Sequence, residues 1–166
     1  MPGAEAFQIR RYDGTDSEAT LPIFQRAVRE VSSRDYDPVQ IAAWSQVDDH
    51  ARWAERRASR PTWVAVHGPL VIGFTDLEPD GHLDMMFVHP GHQGLGVASG
   101  LLAAVETAAR AAGLARLFTE ASITARPFFE RRGFRLIAEQ QVEARGVRLT
   151  NFRMEKFLVG GGPESR

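Results

Sequence analysis

The chain has 166 residues, of which 43% are hydrophobic, and this size suits one domain with one buried core rather than two domains. Twenty basic residues against twenty-one acidic ones leave a formal charge of −1. The protein therefore has no strong net positive charge that would attract nucleic acid. The pairs Arg56-Arg57 and Arg131-Arg132 are interpreted as solvated faces. The chain has no cysteine, which excludes a disulfide framework, a thiolate metal site and a cysteine acyl-enzyme.

The pattern of charge and hydropathy contains no targeting or membrane signal. The first residues lack a basic segment followed by an apolar stretch, and no run of about eighteen apolar residues could span a bilayer. We therefore expect a cytoplasmic protein that binds neither a membrane nor nucleic acid. Its single domain is expected to cover residues 1–159, and the glycine-containing residues 160–166 are expected to form a flexible tail.

The first half of the chain predicts a strand, three helical segments and a hairpin. Alternation and helical spacing of the apolar residues give the boundaries. The predicted elements are, in chain order, a strand over residues 7–12, a helix between Leu21 and Val31, a helix that opens at Asp37-Pro38, a charged helix over residues 48–59, and strands over Thr62–His67 and residues 70–77 that turn at Gly68-Pro69.

The second half predicts two more strands, two helices and a terminal hairpin. The elements are a fourth strand over residues 83–88 that ends at Pro90-Gly91, a helix from Leu95 to Gly113, a strand over residues 116–121, a helix over residues 123–132 with Pro127 near its start, and a hairpin over residues 134–142 and 147–157. This order favours an α/β fold of the α+β type: one central, largely antiparallel mixed sheet of about seven strands flanked by helices.

A glycine-spaced loop, Gln93-Gly94-Leu95-Gly96-Val97-Ala98, joins the fourth strand to the long helix. Amides at the start of a helix lack helical partners and can converge on an anion such as a diphosphate, and glycine lets the backbone approach it closely. The lysine and Ser/Thr of a P-loop are absent. Gly94, Gly96 and Gly100 imitate a dinucleotide fingerprint, with Glu120 as its ribose acid. However, five residues separate the strand from the glycines, and a hairpin ends the chain, which disfavours a Rossmann unit.

With these residues in view, the chain resembles the GNAT superfamily of N-acetyltransferases. The signature of that family is Gln or Arg, two residues, Gly, one residue, then Gly or Ala, and Gln93, Gly96 and Ala98 match it. Further matches flank the motif, and the resemblance covers about residues 62–156. The flanking matches are Val88-His89-Pro90 before it and Ala125, Phe128 and Gly133-Phe134 after it.

The resemblance implies acetyl-CoA as co-substrate and a primary amine, on a small molecule or a peptide, as acceptor. The fourth strand would splay from the fifth, and the pantetheine arm would pair with the backbone of Phe87 and Val88. Ser122 would contact a cofactor amide, or would only cap a helix. The backbone expected to hold the diphosphate is that of Gln93, Gly94, Leu95, Gly96, Val97, Ala98 and Ser99. A homodimer is also plausible by resemblance.

His82 and Asp84 are the candidate catalytic residues. An alkylammonium group, with a pKa near ~10, must lose a proton before its nitrogen can attack a thioester. Both side chains are expected on one face at the start of the fourth strand, where relatives place a base. His82 could accept the proton, while Asp84 could orient it or act through water. The alternative is that both residues simply end a strand at the solvent edge.

Phe129 departs from the family pattern. Many members have a tyrosine there, which protonates the leaving thiolate, and this chain lacks that acid. A thiol with a pKa near ~8.5 already gives a fair leaving group, so water or Ser122 is expected to suffice as the proton donor. Phe129 is assigned to the cofactor site. The loss of the acid is also what a non-catalytic acyl-CoA-binding module would show, and that module is the alternative function.

Two further groups of residues are expected to carry no ligand. No metal is predicted, because neither the scattered histidines nor the polar run before the fourth strand has the spacing of a metal site. These residues are His50, His67, His89 and His92, and Glu78, Asp80 and His82. The aromatic residues Tyr36, Trp44 and Trp53 are expected to pack in the core rather than to contact a substrate.

Overall fold

The computed structural model describes residues 7–158. The tail expected over residues 160–166 lies outside them. The strands are β1 (Gln8–Arg11), β2 (Thr62–His67), β3 (Leu70–Asp76), β4 (Met86–Val88), β5 (Arg116–Ser122), β6 (Arg135–Ala144) and β7 (Val147–Phe157). The α-helices are α1 (Ser17–Glu30), α2 (Pro38–Ser45), α3 (His50–Ala58), α4 (Val97–Ala111) and α5 (Arg126–Arg131). Within the described residues, no helix is both long enough and apolar enough to cross a bilayer.

The seven strands form two sheets that meet at a single point within residues 7–158. One sheet has the order β1-β2-β3-β4 and the other β5-β7-β6, with antiparallel neighbours throughout. A parallel bridge between His82 and Phe118 joins them. At this bridge the N–H of Leu83 donates to the carbonyl of Phe118 at 2.9 Å, and the N–H of Phe118 donates to the carbonyl of Gly81 at 3.1 Å. Beyond it β4 and β5 diverge, which leaves a V-shaped gap between the sheets.

Helices cover both faces of the strands. On one face α1, α2 and α3 contribute Phe24, Ile41 and Trp53 to a core that includes Phe74 of β3. On the other face α4 packs on the sheet, because its apolar residues recur at helical spacing and form one buried stripe. The buried residues of that stripe are Val97, Leu101, Leu102, Val105 and Ala109. The predicted α/β fold with a largely antiparallel set of seven strands is confirmed.

Local sequence signals fix several helix starts. The Asp37 carboxylate accepts the N–H of Gln40 at 2.8 Å, and the Gln40 side chain accepts the N–H of Asp37 at 2.9 Å. This reciprocal capping box, with Pro38 in the first turn, begins α2 where the sequence predicts a helix. The Asp49 carboxylate likewise accepts the N–H of Arg52 at the start of α3.

Two expectations about this region are wrong. The fourth strand covers only Met86–Val88, not residues 83–88, so His82 and Asp84 precede the strand instead of opening it. Arg57 is not on a solvated face, because its side chain is only 1% exposed and its guanidinium lies over the Trp53 ring at 4.7 Å. Burial of a cation requires a partner, and Asp76 of β3 lies 3.8 Å from the guanidinium.

Candidate active site

A cleft of about 490 Å³ occupies the gap between β4 and β5. Ten of the eleven residues expected to bind the cofactor line it: Phe87, Val88, Gln93, Gly94, Gly96, Val97, Ala98, Ser99, Ser122 and Phe129. Leu95 does not, since its side chain is 61% exposed. The motif residues and the later segment around α5, which are distant in the sequence, therefore form opposite walls of one cleft.

The N-terminus of α4 opens into the cleft. Gly96 is the N-cap residue, with φ at +84°, a conformation that glycine adopts without steric cost. The helical ladder begins with the N–H of Gly100, which donates to the carbonyl of Gly96 at 3.0 Å. The amides of the first helical turn therefore have no acceptor within the helix, and they lie at the positive end of its dipole. This end of the cleft is suited to a diphosphate.

The Gln93 side chain braces the loop before α4. Its amide nitrogen donates to the carbonyl of Val88 at 3.0 Å, which ties the loop to the end of β4. The imidazole Nδ1 of His89 accepts the N–H of Gly91 at 2.9 Å in the short turn between them. Gln93 therefore shapes the loop with its side chain, while the glycines that follow leave the backbone accessible.

Arginines at the mouth of the cleft were missed by the sequence analysis. Arg131 and Arg132 were interpreted as a solvated face, yet both line the cleft, together with Arg34. The guanidinium of Arg132 donates to the Ser99 hydroxyl and lies 5.1 Å from the Phe128 ring. This contact connects the end of α5 to the first turn of α4. It places a cation beside the proposed diphosphate position, where opposite charge strengthens hydrogen bonding to phosphate.

The wall opposite β4 contains Ser122 and Phe129. The Ser122 hydroxyl accepts the N–H of Ala125 at 3.0 Å, so it caps the turn into α5 while still lining the cleft. The Phe129 ring is 4% exposed and packs edge-on against Phe128 and Phe134, with ring centroids 5.2 and 5.0 Å apart. At this position the cleft therefore has a hydrophobic surface and no proton donor.

The aromatic residues of α1 to α3 belong to the core, as the sequence predicts. Tyr36 and Trp53 are buried, and the half-buried Trp44 packs edge-on against Tyr36. The Tyr36 hydroxyl donates to the carbonyl of Thr150 at 2.6 Å and accepts the N–H of Ile123 at 2.9 Å. Because its proton is already used, Tyr36 has none free to replace the missing tyrosine at position 129.

His82 lies at the bridge where the two sheets meet. Its Nδ1 is 2.5 Å from a Glu78 carboxylate oxygen, and its Nε2 is 2.7 Å from a Glu120 carboxylate oxygen. The hydrogen bond to Glu120 is the largest cause that raises the pKa of His82 from 6.5 to about 9, with Glu78 adding to it against the effect of burial. At neutral pH this imidazole is therefore mainly a cation held between two carboxylates.

Asp84 is a further acidic residue beside His82 and Glu120. Its carboxylate is 25% exposed and lies 3.2 Å from the Arg60 guanidinium. Ligating atoms of His82, Asp84 and Glu120 lie within 4.8 Å of one another. Both imidazole nitrogens already face carboxylates, so we interpret the group as an acid–base cluster. The structure thus brings both predicted catalytic residues together beside the bridge between the sheets, outside the residues that line the cleft, and adds Glu120 from β5.

Comparison with known proteins agrees with this geometry. Residues 32–156 match the model of an acetyltransferase (GNAT) domain. The chain belongs to the GNAT acetyltransferase family. It is 42% identical over 147 residues to the uncharacterized N-acetyltransferase YafP of Escherichia coli strain K12, a match that covers 89% of this chain and 93% of YafP. The predicted family and enzyme class are confirmed, and the activity is acetyl transfer from acetyl-CoA to an amine.

Solved structures show the same fold. A GCN5-related N-acetyltransferase from Rhodopseudomonas palustris is 34% identical, with a TM-score of 0.88 over 91% of this chain and 95% of that chain. YncA of Salmonella typhimurium, a putative acetyltransferase solved with its cofactor acetyl-CoA, is 21% identical, with a TM-score of 0.70 over 95% of this chain and 98% of its own.

Proposed function

We propose that the enzyme transfers the acetyl group directly from acetyl-CoA to a primary amine while both are bound. The observation that carries this proposal is the cleft between β4 and β5, which the N-terminus of α4 lines, together with the acid–base cluster at the bridge from which β4 and β5 diverge. A long donor such as acetyl-CoA can place its diphosphate at the helix N-terminus and its thioester toward the cluster. The absence of cysteine supports direct attack.

The proposed donor site follows the walls of the cleft. The amides from Gly94 to Ser99 hold the diphosphate, with Arg131 and Arg132 adding positive charge. β4 pairs with β3 along one edge, and its other edge faces the gap beyond the bridge. That edge can accept the pantetheine amides as a further strand would be accepted. Acetyl-CoA bound to the structural neighbour YncA supports this donor.

The proposed chemistry takes place near His82 and Asp84. The amine nitrogen attacks the thioester carbonyl, the carbon–sulfur bond breaks, and CoA leaves as a thiolate. The nitrogen gives up its proton to the neutral form of His82, whose pKa of about 9 lies close to the value near ~10 of an alkylammonium. Asp84 and Glu120 stabilise the imidazolium so formed. Water protonates the thiolate, since position 129 offers no acid.

The acceptor class follows from the charge of the cluster. The partly exposed carboxylates of Glu78 and Glu120 favour an acceptor that arrives as an ammonium ion, on a small molecule or a peptide. We place the enzyme in the cytoplasm, where acetyl-CoA is available. A homodimer remains part of the proposal, and exposed apolar side chains at Leu136, Ile137 and Phe157 offer a surface for it.

The test of the proposed function is turnover of acetyl-CoA by the purified chain. A panel of small primary amines and peptides is screened for release of free CoA thiol, and acetylated products are identified by mass spectrometry. We expect release that depends on an amine and on the enzyme. A protein that binds acetyl-CoA but acetylates no amine in a broad panel is instead the acyl-CoA-binding module.

A charge substitution tests the diphosphate position. In Ser99→Asp, a carboxylate at the start of α4 favours the helix dipole but repels the diphosphate. We expect the KM for acetyl-CoA to rise at least about tenfold with no loss of thermal stability, because 1.4 kcal/mol of repulsion gives that factor. Ala103→Asp, at an exposed site in the middle of α4, is the matched control and should leave KM nearly unchanged. Equal KM values in the two variants would contradict the assignment.

A further inference from the structure

A bulge distorts the chain between the bridge to β5 and the start of β4. The side chains of Leu83, Met86 and Val88 enter the core beneath α4, whereas Met85 and Phe87 pack on the opposite face. A regular strand would place residues 83, 85 and 87 on one face, because its side chains alternate with a period of two. One extra residue is therefore inserted at Asp84-Met85, which we call the β4 bulge.

The carboxylate of Asp76, at the end of β3, holds this bulge. One of its oxygens accepts the N–H groups of both Asp84 and Met85, at 2.9 and 3.0 Å. Successive amides of a regular strand point in opposite directions, so they cannot share one acceptor. The neighbouring Thr75 hydroxyl donates to the carbonyl of Met85 at 2.8 Å. The end of β3 therefore fixes the bulge through side chains as well as backbone.

Arg57 of α3 completes the arrangement. Asp76 and Arg57 are each 1% exposed, and the second Asp76 oxygen lies 3.8 Å from the Arg57 guanidinium. The guanidinium also contacts the Met85 sulfur. Burial is the largest cause that raises the pKa of Asp76 and lowers the pKa of Arg57, and each charge offsets part of that cost for the other. Arg60, 3.6 Å from the same Asp76 oxygen, and Asp84, 4.0 Å from the Arg57 guanidinium, add to this compensation. A hydrophobic pair could fill the same volume, so stability alone does not explain why charges are buried at this point.

We propose that Asp76, supported by Arg57, is a positioning residue that holds the β4 bulge and so sets the reacting end of the cleft. The bulge is where β4 leaves β5, and it turns Asp84 toward the α3 face, where Asp84 meets His82 and Glu120. The backbone that follows, Met86–Val88, forms one wall of the cleft. The inference rests on the proposed function, because it assigns Asp76 to the geometry of that reaction.

Two double variants separate the bulge from the buried charge. Asp76→Asn with Arg57→Met removes both charges but keeps an oxygen that can accept the two amides. Asp76→Leu with Arg57→Met removes the charges and the acceptor. We expect the first variant to keep kcat within about threefold of the wild type. We expect the second to lose roughly 10- to 100-fold in kcat, since displacing reacting groups by about 1 Å costs that much. Its Kd for CoA should change much less than its kcat, because the diphosphate site is separate from the bulge even though the pantetheine arm lies against β4.

Hydrogen exchange gives a readout that needs no substrate. The amides of Asp84 and Met85 should stay protected in the Asn variant and exchange faster in the Leu variant. Equal kcat or equal protection in the two variants overturns the proposal, and so does a CoA affinity that falls as much as kcat.

If the Leu variant does not fold, Thr75→Val is used in its place, because it loosens the bulge without changing a charge. A kcat lowered severalfold at unchanged CoA affinity supports the proposal, and an unchanged kcat overturns it. Absence of turnover in the wild type refutes the proposed function, whereas the exchange data still decide whether Asp76 holds the bulge.

Discussion

The residue whose chemistry depends most on its neighbours is His82. Its two carboxylate partners come from different parts of the chain: Glu78 lies in the connection that leads to the bridge, and Glu120 lies on β5. With a pKa raised to about 9, only about 1% of the imidazole is neutral at pH 7. The form that can accept a proton therefore increases about tenfold for each pH unit up to about 9.

This titration predicts how activity depends on pH. We expect kcat/KM of the wild type to rise toward pH 9 with the neutral form of His82. Glu120→Gln removes the largest cause of the raised pKa, so the inflection assigned to His82 should move down toward the ordinary value near ~6.5. The measurement is kcat/KM from pH 6 to about 10 with one amine. The ionisation of the amine is the same for both enzymes, so a difference between the profiles reports His82.

Glu139→Gln is the matched control for this experiment. Glu139 is an exposed carboxylate on β6, away from the cleft, so its substitution should leave the profile of the wild type unchanged. If Glu120→Gln also leaves the profile unchanged, His82 is not the group whose ionisation limits the reaction, and the proton acceptor must be sought in Asp84 or water.

At this scale, sequence reasoning finds residues by local pattern and misses those defined by distant partners. Gln93, Gly96 and Ala98 are recognised because they lie within six residues of one another at a characteristic spacing, and they line the cleft. Glu120 was weighed only as a ribose acid, since nothing nearby in the sequence indicates that it faces His82. Arg57 resembles the exposed Arg56 beside it, and only the packing of α3 against β3 separates the two.

The bounds of a helix or strand are predicted well where neighbouring residues determine them, and poorly where contacts with a distant element do. β2 has the predicted bounds, Thr62–His67, because a run of mostly apolar residues and the turn after it set both ends. The fourth strand was predicted three residues too long, since Leu83 and Met85 on either side of Asp84 resemble the alternation of a strand. Their irregular path depends on Asp76, which belongs to another strand. The same carboxylate that makes the prediction fail also shapes the end of the cleft.

The connection between β3 and β4 depends on Gly81. Its φ is +99°, and a Cβ atom there would lie 2.3 Å from the Arg116 carbonyl oxygen. Gly81→Ala should therefore push this connection away from β5 and weaken the bridge that joins the two sheets. We expect a loss of roughly 3 kcal/mol in the free energy of unfolding, which combines the cost of a positive φ with that of overpacking. Denaturant unfolding measures it.

Gly146→Ala provides the comparison. Gly146 also has a positive φ, +77°, but no atom within 4 Å of the added Cβ, and it lies in the turn between β6 and β7. Its substitution should cost only the conformational part, roughly 1 kcal/mol. Equal losses at the two sites would show that the contact with Arg116 is relieved at no cost, and that the close approach at Gly81 does not hold the sheets together.

The whole molecule consists of two sheets that share a helix-covered core but touch through one bridge within the described residues. The sequence was sufficient for the number of strands, their succession along the chain and the motif loop, because each is set by short-range pattern. Residue patterns alone were insufficient for the division into two sheets, which follows from where β4 turns away; only the family resemblance implied that the fourth strand splays from the fifth. The cleft is a consequence of that division, so a ligand that fills it should act on the stability of the entire fold.

Coenzyme A should therefore stabilise the protein by bridging the two sheets. At a CoA concentration of about 100 times Kd, mass action contributes roughly 2.7 kcal/mol, which for a chain of this size raises Tm by roughly 5 to 10 °C. Ser99→Asp, at the same CoA concentration, should show a smaller rise in Tm.

Adenosine 3′,5′-bisphosphate lacks the pantetheine arm, so at equal saturation it should slow hydrogen exchange around α4 but not in Met86–Val88. If the fragment protects β4 as well as CoA does, the arm does not lie between the sheets, and the cleft holds only the nucleotide.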